Sequence, residues 1–527
     1  MSASCALATP HALATRAGID SFAAGGNAID AAITAAAVLT VIYPHQCALG
    51  GDLFALVRTP TQKAVSVNGS GVLPRRVDVE AWRRKYSQAP ATGPDSITVP
   101  GLVAGWRSLA QLGARLTPKQ WLAPAIALAS DGATVSASLA RGLGLRQQFI
   151  KADPGLAAVF SHNGDIKKQG DIFKQPALAA TLAAMAGGGL EVFYQGPIAQ
   201  RLAHGLQALG SVIEADDLAA HQSLLTAPLA LEKQGLRILT SPPNSQGFVF
   251  LETLAALLVC GRSLDRMNDE LDLTLAACLM AAGDRDRYLG DPTTSAVPLD
   301  QLLDDAQLKA RLAGRHQQAK ADAQRVAKAA PAHGDTVAVC AMDDDGNAVS
   351  LIQSVFQSFG AGLLEPATGI IMHNRARGFS LDPKAANEVK PGTRPAHTLV
   401  PVLIEEGDEV SAVVGTMGGR AQPQILTQIL PAVLRSDQPL AESLAAPRWV
   451  FGAADMDFAS LGVAYEKHAP GFWRDRLAMA GLPLHQVATG DERMGHANIV
   501  RRRRQGGLES AADPRSDGSG AVYERAA

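Results

Sequence analysis

Two patterns of apolar and polar positions divide this chain near residue 335. Before that point, alanine-rich stretches carry apolar residues at helical spacing. Gly25 to Thr40 reads as a tightly packed helix entered from a glycine turn, and Pro176 to Met185 and Ile198 to Leu209 read as further helices. Ser263 to Ala330 is polar, charged and mostly helical in pattern, and it ends in an AAPAHG stretch that reads as an exposed, flexible approach to residue 336. Beyond 335 the pattern changes to strands. Val337 to Met342 (VAVCAM) is a short apolar run, Asp344-Asp345-Gly346 a turn, and Ala348 to Ile352 the returning strand. Gly346 closing a three-residue loop suits a type I turn followed by a left-handed glycine, which centres the hairpin on Asp345. A second hairpin is expected at Glu406 to Asp408. The sum is an α+β protein with helices on both sides of packed antiparallel sheets.

Composition narrows the class without naming a chemistry. The 527 residues are 47% hydrophobic and 19% charged, ordinary for a large soluble globular protein. Length alone suggests about three or four domains, but no linker or low-complexity segment divides the chain, so one continuous unit is expected. A net charge of −2 gives no reason to expect nucleic acid or an anionic membrane as partner. The basic run Arg501 to Arg504 reads as a solvated edge. Five cysteines with no CxxC pair suggest neither a disulfide framework nor a zinc ribbon. Cys340, inside VAVCAM, reads as a small buried hydrophobe, and Cys47 beside His45 is the tempting pair for thiol chemistry. No Lys or Arg precedes Arg16 and no sustained apolar core follows the start, unlike a secretory signal. The longest apolar stretch, Ala31 to Tyr43, is too short to span a bilayer. A cytoplasmic protein is the expectation.

Chemistry-bearing motifs are fewer. No phosphate-binding glycine loop, dinucleotide fingerprint or G-x-S-x-G elbow occurs. His11, His45, His333, His373 and His397 show no metal-ligand spacing, so neither metal nor cofactor is expected. The hairpin centre places Thr336 opposite Ser354, two hydroxyls at its open end, directly after Gly334-Asp335. A threonine released by self-cleavage would be arranged in this way, its new α-amino group serving as base for its own hydroxyl. On the hairpin alone, an ordinary cross-strand contact is the favoured reading. Strand Val410 to Val414 runs into Gly415-Thr416-Met417-Gly418-Gly419, and Gln422-Pro423 then opens a helix through Leu434. Free N–H groups at such a junction suit an oxyanion hole; a glycine turn needed only for geometry is the other reading.

Eight landmarks settle between these readings. The segment GDTVAVCAMDDDGNAVSLIQSVFQSFGAGLLEPATGIIMHNRARGFSLDP, with GGNAIDAAITAA (Gly25 to Ala36), GGDLF (Gly50 to Phe54), VPGLVAGW (Val99 to Trp106), PPNSQG (Pro242 to Gly247), TRPAHTLVP (Thr393 to Pro401), GTMGGRAQPQ (Gly415 to Gln424) and DPRSDG (Asp513 to Gly518), resembles the γ-glutamyltransferase family of N-terminal-nucleophile hydrolases. The resemblance runs in family order over almost the whole chain. It implies an αββα sandwich, cofactor-free catalysis, and self-cleavage between Asp335 and Thr336 into a helix-rich 1–335 and a strand-rich 336–527. The two fragments would stay intertwined as a heterodimer, or as a dimer of such heterodimers. It further implies that Thr336 is the nucleophile, that Ser354 stands where the family has a supporting second threonine, and that Gly418 and Gly419 form the oxyanion hole.

Departures from the family pattern bear on substrate. Family transpeptidases hold the γ-glutamyl α-amino group with an acid just before the Phe of a D-D-F motif; here the stretch is Arg377-Gly378-Phe379. The family's carboxylate-binding arginine is matched by Ser70, and an asparagine two residues after the second threonine is replaced by Phe356. An anionic acyl group without an α-amine is therefore favoured, with Arg377, Arg394 and His397 as carboxylate partners; structural ion pairs are the competing role for each. Among the family's branches the chain looks most like the one that hydrolyses oxamate, a small acid amide formed in purine-nitrogen catabolism. A glutathione hydrolase, an acylase for larger amides and an uncleaved, non-catalytic binding protein are the alternatives.

Overall fold

A computed structural model describes residues 4–266, 270–313, 335–434, 438–452 and 461–525. The AAPAHG approach to Thr336 lies outside the described residues. Two antiparallel sheets form the centre. The first has seven strands in the order Ser519–Glu524, Ser4–Thr9, Asp335–Asp343, Ala348–Phe356, Asp52–Thr59, Gln62–Gly69 and Leu224–Thr226. The second has six, in the order Leu508–Ala512, Ala497–Arg502, Glu409–Thr416, Val402–Glu406, Leu236–Thr240 and Leu229–Lys233. They pack face to face: Ala6, Leu56, Cys340 and Met342 of the first meet Leu403, Val413 and Val500 of the second. Helices Ala12–Ala23, Ala28–Ile42 and Leu102–Gln111 cover the outer face of the first sheet, and Gly247–Val259 and Gln422–Leu434 that of the second. The four layers are the αββα sandwich.

Local sequence explains the layers. Strand Asp335–Asp343 is interior on both faces, so its apolar residues run on without the alternation of a half-exposed strand. Val337 pairs with Gln353 and Met342 with Ala348, the expected register, and Gly346 closes the turn at φ +94. Helix Ala28–Ile42 is buried at every position. Its small residues let helix Ala12–Ala23 approach so closely that a Cβ on Gly18 would lie 3.1 Å from the Ala31 carbonyl oxygen. Asn27 caps this helix, and the buried Asp30 closes the box and accepts the Arg115 and Leu116 N–H groups and the Trp121 indole N–H. The other two expected helices run Pro176–Gly188 and Pro197–Ala208. In the polar-looking segment after Ser263, helix Leu271–Tyr288 is mostly buried, because its first three turns are apolar and pack on Trp449 and Leu477.

Strands from before and after residue 335 interleave in the first sheet and lie side by side in the second. Ser4–Thr9 sits between Ser519–Glu524 and Asp335–Asp343, and Ala348–Phe356 sits between Asp335–Asp343 and Asp52–Thr59. No described helix is long and apolar enough to cross a membrane.

One buried group gives a pH dependence to stability. His221 is 4% exposed and packs on the Tyr194 ring at 5.5 Å, and neither of its nitrogens has a hydrogen-bond partner among the described residues. Burial, aided by the Arg394 charge, lowers its pKa from 6.5 to about 3. The folded-state pKa lies below the unfolded one, so stability is fully present above pH 6.5 and is lost as pH falls toward 3. The His221→Phe variant is expected to lose about 2 kcal/mol less stability than wild type between pH 8 and pH 5, from about 1.4 kcal/mol per pH unit. Urea unfolding at the two pH values measures the difference; equal losses in both proteins refute it.

Candidate active site

The open end of the Asp335–Phe356 hairpin carries a chain of three hydrogen-bonded groups. Thr336 is fully buried and its Oγ1 donates to Ser354 Oγ at 3.2 Å. Ser354 Oγ donates to the Asp335 carbonyl oxygen at 2.5 Å and accepts the Phe356 N–H at 2.8 Å. A hydroxyl has one donor and two acceptor sites, and Ser354 uses all three. A bulge arranges this: the register shifts between Asp335 and Val337, so Asp335 pairs with Phe356 and its carbonyl reaches Ser354. Phe356 takes a left-handed φ of +76, uncommon for a bulky residue. A proton therefore has a path from the threonine hydroxyl through serine to the oxygen of the Asp335–Thr336 peptide bond.

The glycine turn approaches from the facing sheet. Ser350, which pairs with Cys340, donates to the Val414 carbonyl at 2.8 Å, and a Cβ on Gly415 would lie 2.8 Å from Ala338 Cβ. From Val414 to Gly415 the strand steps from the level of Cys340 to that of Ala338, toward Thr336. The turn then follows, with φ +144 at Gly418 and +52 at Gly419. Ala421 N–H is the first to bond back, to Gly418 O at 2.8 Å, so the Gly418 and Gly419 N–H groups precede the helical hydrogen-bond series. Gln246 Nε2 fixes the turn by donating to Gly419 O and Thr398 O, each at 2.9 Å.

A cavity of about 360 Å³ has Gln246, Phe356, Arg377, His397 and Arg420 in its walls, while Thr336, Ser354, Gly418 and Gly419 are not among its lining residues. Phe356 joins the two regions, lining the cavity while its N–H is held by Ser354. Gly378 is in the wall too, and a Cβ there would lie 3.0 Å from Ala396 O and 3.2 Å from Pro395 Cβ, so an acidic side chain has little room. His397 is fully buried with Nε2 3.2 Å from Asp52 Oδ2. Burial and the Arg375 charge lower its pKa to about 3, leaving a neutral ring at pH 7. Asp52, also fully buried, accepts Gly71 N–H at 3.1 Å. Burial opposes its charge, yet His373, His397 and Arg375 hold its pKa below the ordinary value.

The remaining expected residues lie elsewhere. Ser70 is buried in an internal network, its Oγ donating to Asn68 Oδ1 at 2.7 Å and accepting from Asn244 Nδ2 at 3.2 Å. Arg394 spends its guanidinium on backbone carbonyls, those of Ser70 at 3.0 Å and Gln222 at 3.1 Å. Neither is among the residues lining the cavity. Cys47 is fully buried and its thiol is pushed up to about 12 by that burial, so no thiolate nucleophile forms at neutral pH. His45, two residues before it in sequence, bonds to Ser138 instead, at 3.1 Å. Cys340 is the small buried hydrophobe expected. Arg501 departs from the solvated edge: it is buried against Glu509 and the Ala432 carbonyl. Reading the sequence missed Asp52, Arg375 and Gln246 individually, although GGDLF, HNRARGF and PPNSQG contain them.

A threonine hydroxyl at the start of an inner strand, in an αββα sandwich, with backbone N–H donors approaching from the opposite sheet, defines a class of hydrolases whose nucleophile heads that strand. A family model described as gamma-glutamyltranspeptidase matches residues 14–523. The chain is 35% identical to the oxamate amidohydrolase proenzyme of Klebsiella pneumoniae, over 98% of this chain and 97% of that protein. It is also 35% identical to the glutathione hydrolase-like YwrD proenzyme of Bacillus subtilis, over 97% of each. Among solved structures it is similar to cephalosporin acylase from Bacillus halodurans, with a TM-score of 0.88 and 31% identity over 100% of this chain and 97% of that one. The chain belongs to the γ-glutamyltranspeptidase family of N-terminal-nucleophile hydrolases, amidohydrolases acting on carbon–nitrogen bonds.

Proposed function

We propose that this enzyme cleaves itself between Asp335 and Thr336 and then hydrolyses a small acid amide, with oxamate to oxalate and ammonium as the best fit. The observation that carries the reading is the hydrogen-bond chain from Thr336 through Ser354 to the Asp335 carbonyl. In the precursor, Thr336 Oγ1 attacks the Asp335 carbonyl carbon, with Ser354 donating to the developing oxyanion. The C–N bond breaks, leaving an ester on Thr336 and a free α-amine. Water then hydrolyses the ester, leaving Asp335 as a carboxylate and the two fragments as a heterodimer. In turnover the α-amine, with an ordinary pKa of about 7.7–8.0, takes the hydroxyl proton as Oγ1 attacks the substrate amide. Gly418 and Gly419 N–H groups receive the tetrahedral oxyanion, ammonia leaves with the proton, and water releases the acid from the acyl-threonine. These steps call on no metal or cofactor, and we place the enzyme in the cytoplasm.

Substrate chemistry follows from the cavity wall. Gly378 offers no partner to an α-ammonium, and Arg285, Arg377 and Arg420 outnumber Asp286 and Asp382 in the cavity wall, leaving it net positive. A carboxylate is attracted there, whereas an ammonium is repelled and loses solvation. The similarity to an oxamate amidohydrolase proenzyme supports the same choice. The second reading is an acylase for larger acid amides, favoured by a cavity of about 360 Å³, which exceeds what oxamate fills.

Processed protein should run as two bands of about 35 and 20 kDa, in proportion to the residues on either side of the cut in a 54.9 kDa chain. The small band should begin Thr-Val-Ala-Val-Cys. It should release ammonium from oxamate and transfer negligibly from a γ-glutamyl anilide. A single band points to a binding protein, a different new N-terminus overturns the nucleophile, and efficient γ-glutamyl transfer without oxamate hydrolysis overturns the substrate.

A further inference from the structure

Arg375, the first residue of the turn Arg375–Gly378, is an arginine that none of these steps uses. It is fully buried, and among the described residues none of its three guanidinium nitrogens has a hydrogen-bond partner. The nearest anion is Asp52, whose Oδ2 stands 3.7 Å from Nε, beyond hydrogen-bond reach. That oxygen is already shared with His397 at 3.2 Å and His373 at 3.5 Å. On its other side the guanidinium carbon lies 4.0 Å over the Phe356 ring. Burial lowers its pKa to about 10 against the pull of Asp52, so the group is charged at neutral pH. Five N–H donors left unmatched inside a protein are costly, and an unsatisfied buried group of this kind is explained where a ligand completes it.

We propose that Arg375 is the specificity-determining carboxylate receptor of the acyl pocket, its planar fork taking the acid group of a short acid amide, with Phe356 as the wall that turns aside to admit it. The inference rests on the acid-amide reading above and names the residue that enforces it. Phe356 lines the cavity and Arg375 stacks against its ring, so the ring stands between the two. The same residue bonds to Ser354 through its N–H, which puts the receptor one residue's width from the reacting hydroxyls. A carboxylate docked on the fork accepts two parallel N–H bonds, a geometry that a neutral group of the same shape cannot use. Arg377 and Arg420, farther out on the wall, offset the charge of Asp52 during entry.

The test compares oxamate with pyruvamide, in which a methyl group replaces the carboxylate oxygen. Wild type, Arg375→Met and Arg375→Lys are purified as full, processed enzymes. Arg375→Met is expected to lose about 100-fold in kcat/KM for oxamate, mostly through KM, and less than about 3-fold for pyruvamide; Arg375→Lys should recover part of the oxamate loss through charge alone. In wild type, kcat/KM for oxamate should exceed that for pyruvamide by about 100-fold, the margin that the fork supplies to a carboxylate. This readout also serves if the variants fail to process. Equal losses for both amides, an unchanged oxamate-to-pyruvamide ratio in Arg375→Met, or a wild type that turns over pyruvamide as well as oxamate overturns the inference while leaving the acid-amide reading in place. A wild type inert toward every acid amide overturns that reading and this inference with it.

Discussion

Thr336→Ala is expected to remain one 54.9 kDa chain on a denaturing gel and to release no ammonium from oxamate. Both outcomes follow from the proposed double use of one oxygen, in attack on the Asp335 carbonyl in the precursor and on substrate afterwards. Thr336→Ser keeps that oxygen and the future amine, so it should still process, more slowly, and then turn over. The missing methyl leaves the hydroxyl freer to rotate off Ser354 Oγ, which it meets at 3.2 Å. In the mature wild type, activity should fall as pH drops through the α-amine's pKa, because protonation removes the base. Normal cleavage of Thr336→Ala would place the nucleophile elsewhere, and a rate flat from about pH 5 to 9 would contradict an amine base of ordinary pKa.

Ser354→Ala should slow self-cleavage by about 100- to 1,000-fold, the range measured when one donor to a developing oxyanion is removed. Ser354 donates to the oxygen on which that charge develops, at 2.5 Å. The substitution also frees the Phe356 N–H and the Thr336 hydroxyl, so the bulge loses the atom that ties its two strands together. Ser354→Thr should process at close to the wild-type rate, since the hydroxyl is retained. The check is a time course of precursor loss on a gel after a synchronised start. Ser354→Ala protein that matures as fast as wild type would remove Ser354 from the processing step and leave it a plain cross-strand contact.

Much of this site was legible in the sequence because a hairpin is local. Gly346 in a left-handed position fixes the loop length, loop length fixes the register, and register sets Thr336 against Ser354. The glycine turn was legible as a turn before a proline-opened helix, but its role as an oxyanion hole came from the family resemblance and not from the local sequence. What escaped depends on chain far away. The bulge that turns the Asp335 carbonyl onto Ser354 leaves no mark in composition. Nor does the Asp52 cluster, assembled from segments more than 300 residues apart. The basic residues show the difficulty most clearly. Arg375 and Arg377 lie two apart in one short turn, yet one is fully buried beneath Phe356 and the other lines the cavity. Alternation cannot assign them, because that turn has neither strand nor helix periodicity. Ser70 was reached by matching a family position and Arg394 by the fit of a guanidinium to a carboxylate, and their partners, Asn68, Asn244 and two backbone carbonyls, belong to this chain's own packing.

The interleaving of the two halves in the first sheet has a thermodynamic consequence. Ser4–Thr9 is hydrogen-bonded on one side to Asp335–Asp343 and on the other to Ser519–Glu524, so a strand from before the cut is clamped between two strands from after it. Once the peptide bond at residue 335 is gone, unfolding releases two molecules where the precursor released one. The unfolding midpoint of the mature enzyme then depends on protein concentration, rising with it, while that of the uncut chain does not. Dilution, harmless to the precursor, therefore becomes a denaturing condition that maturation itself introduces.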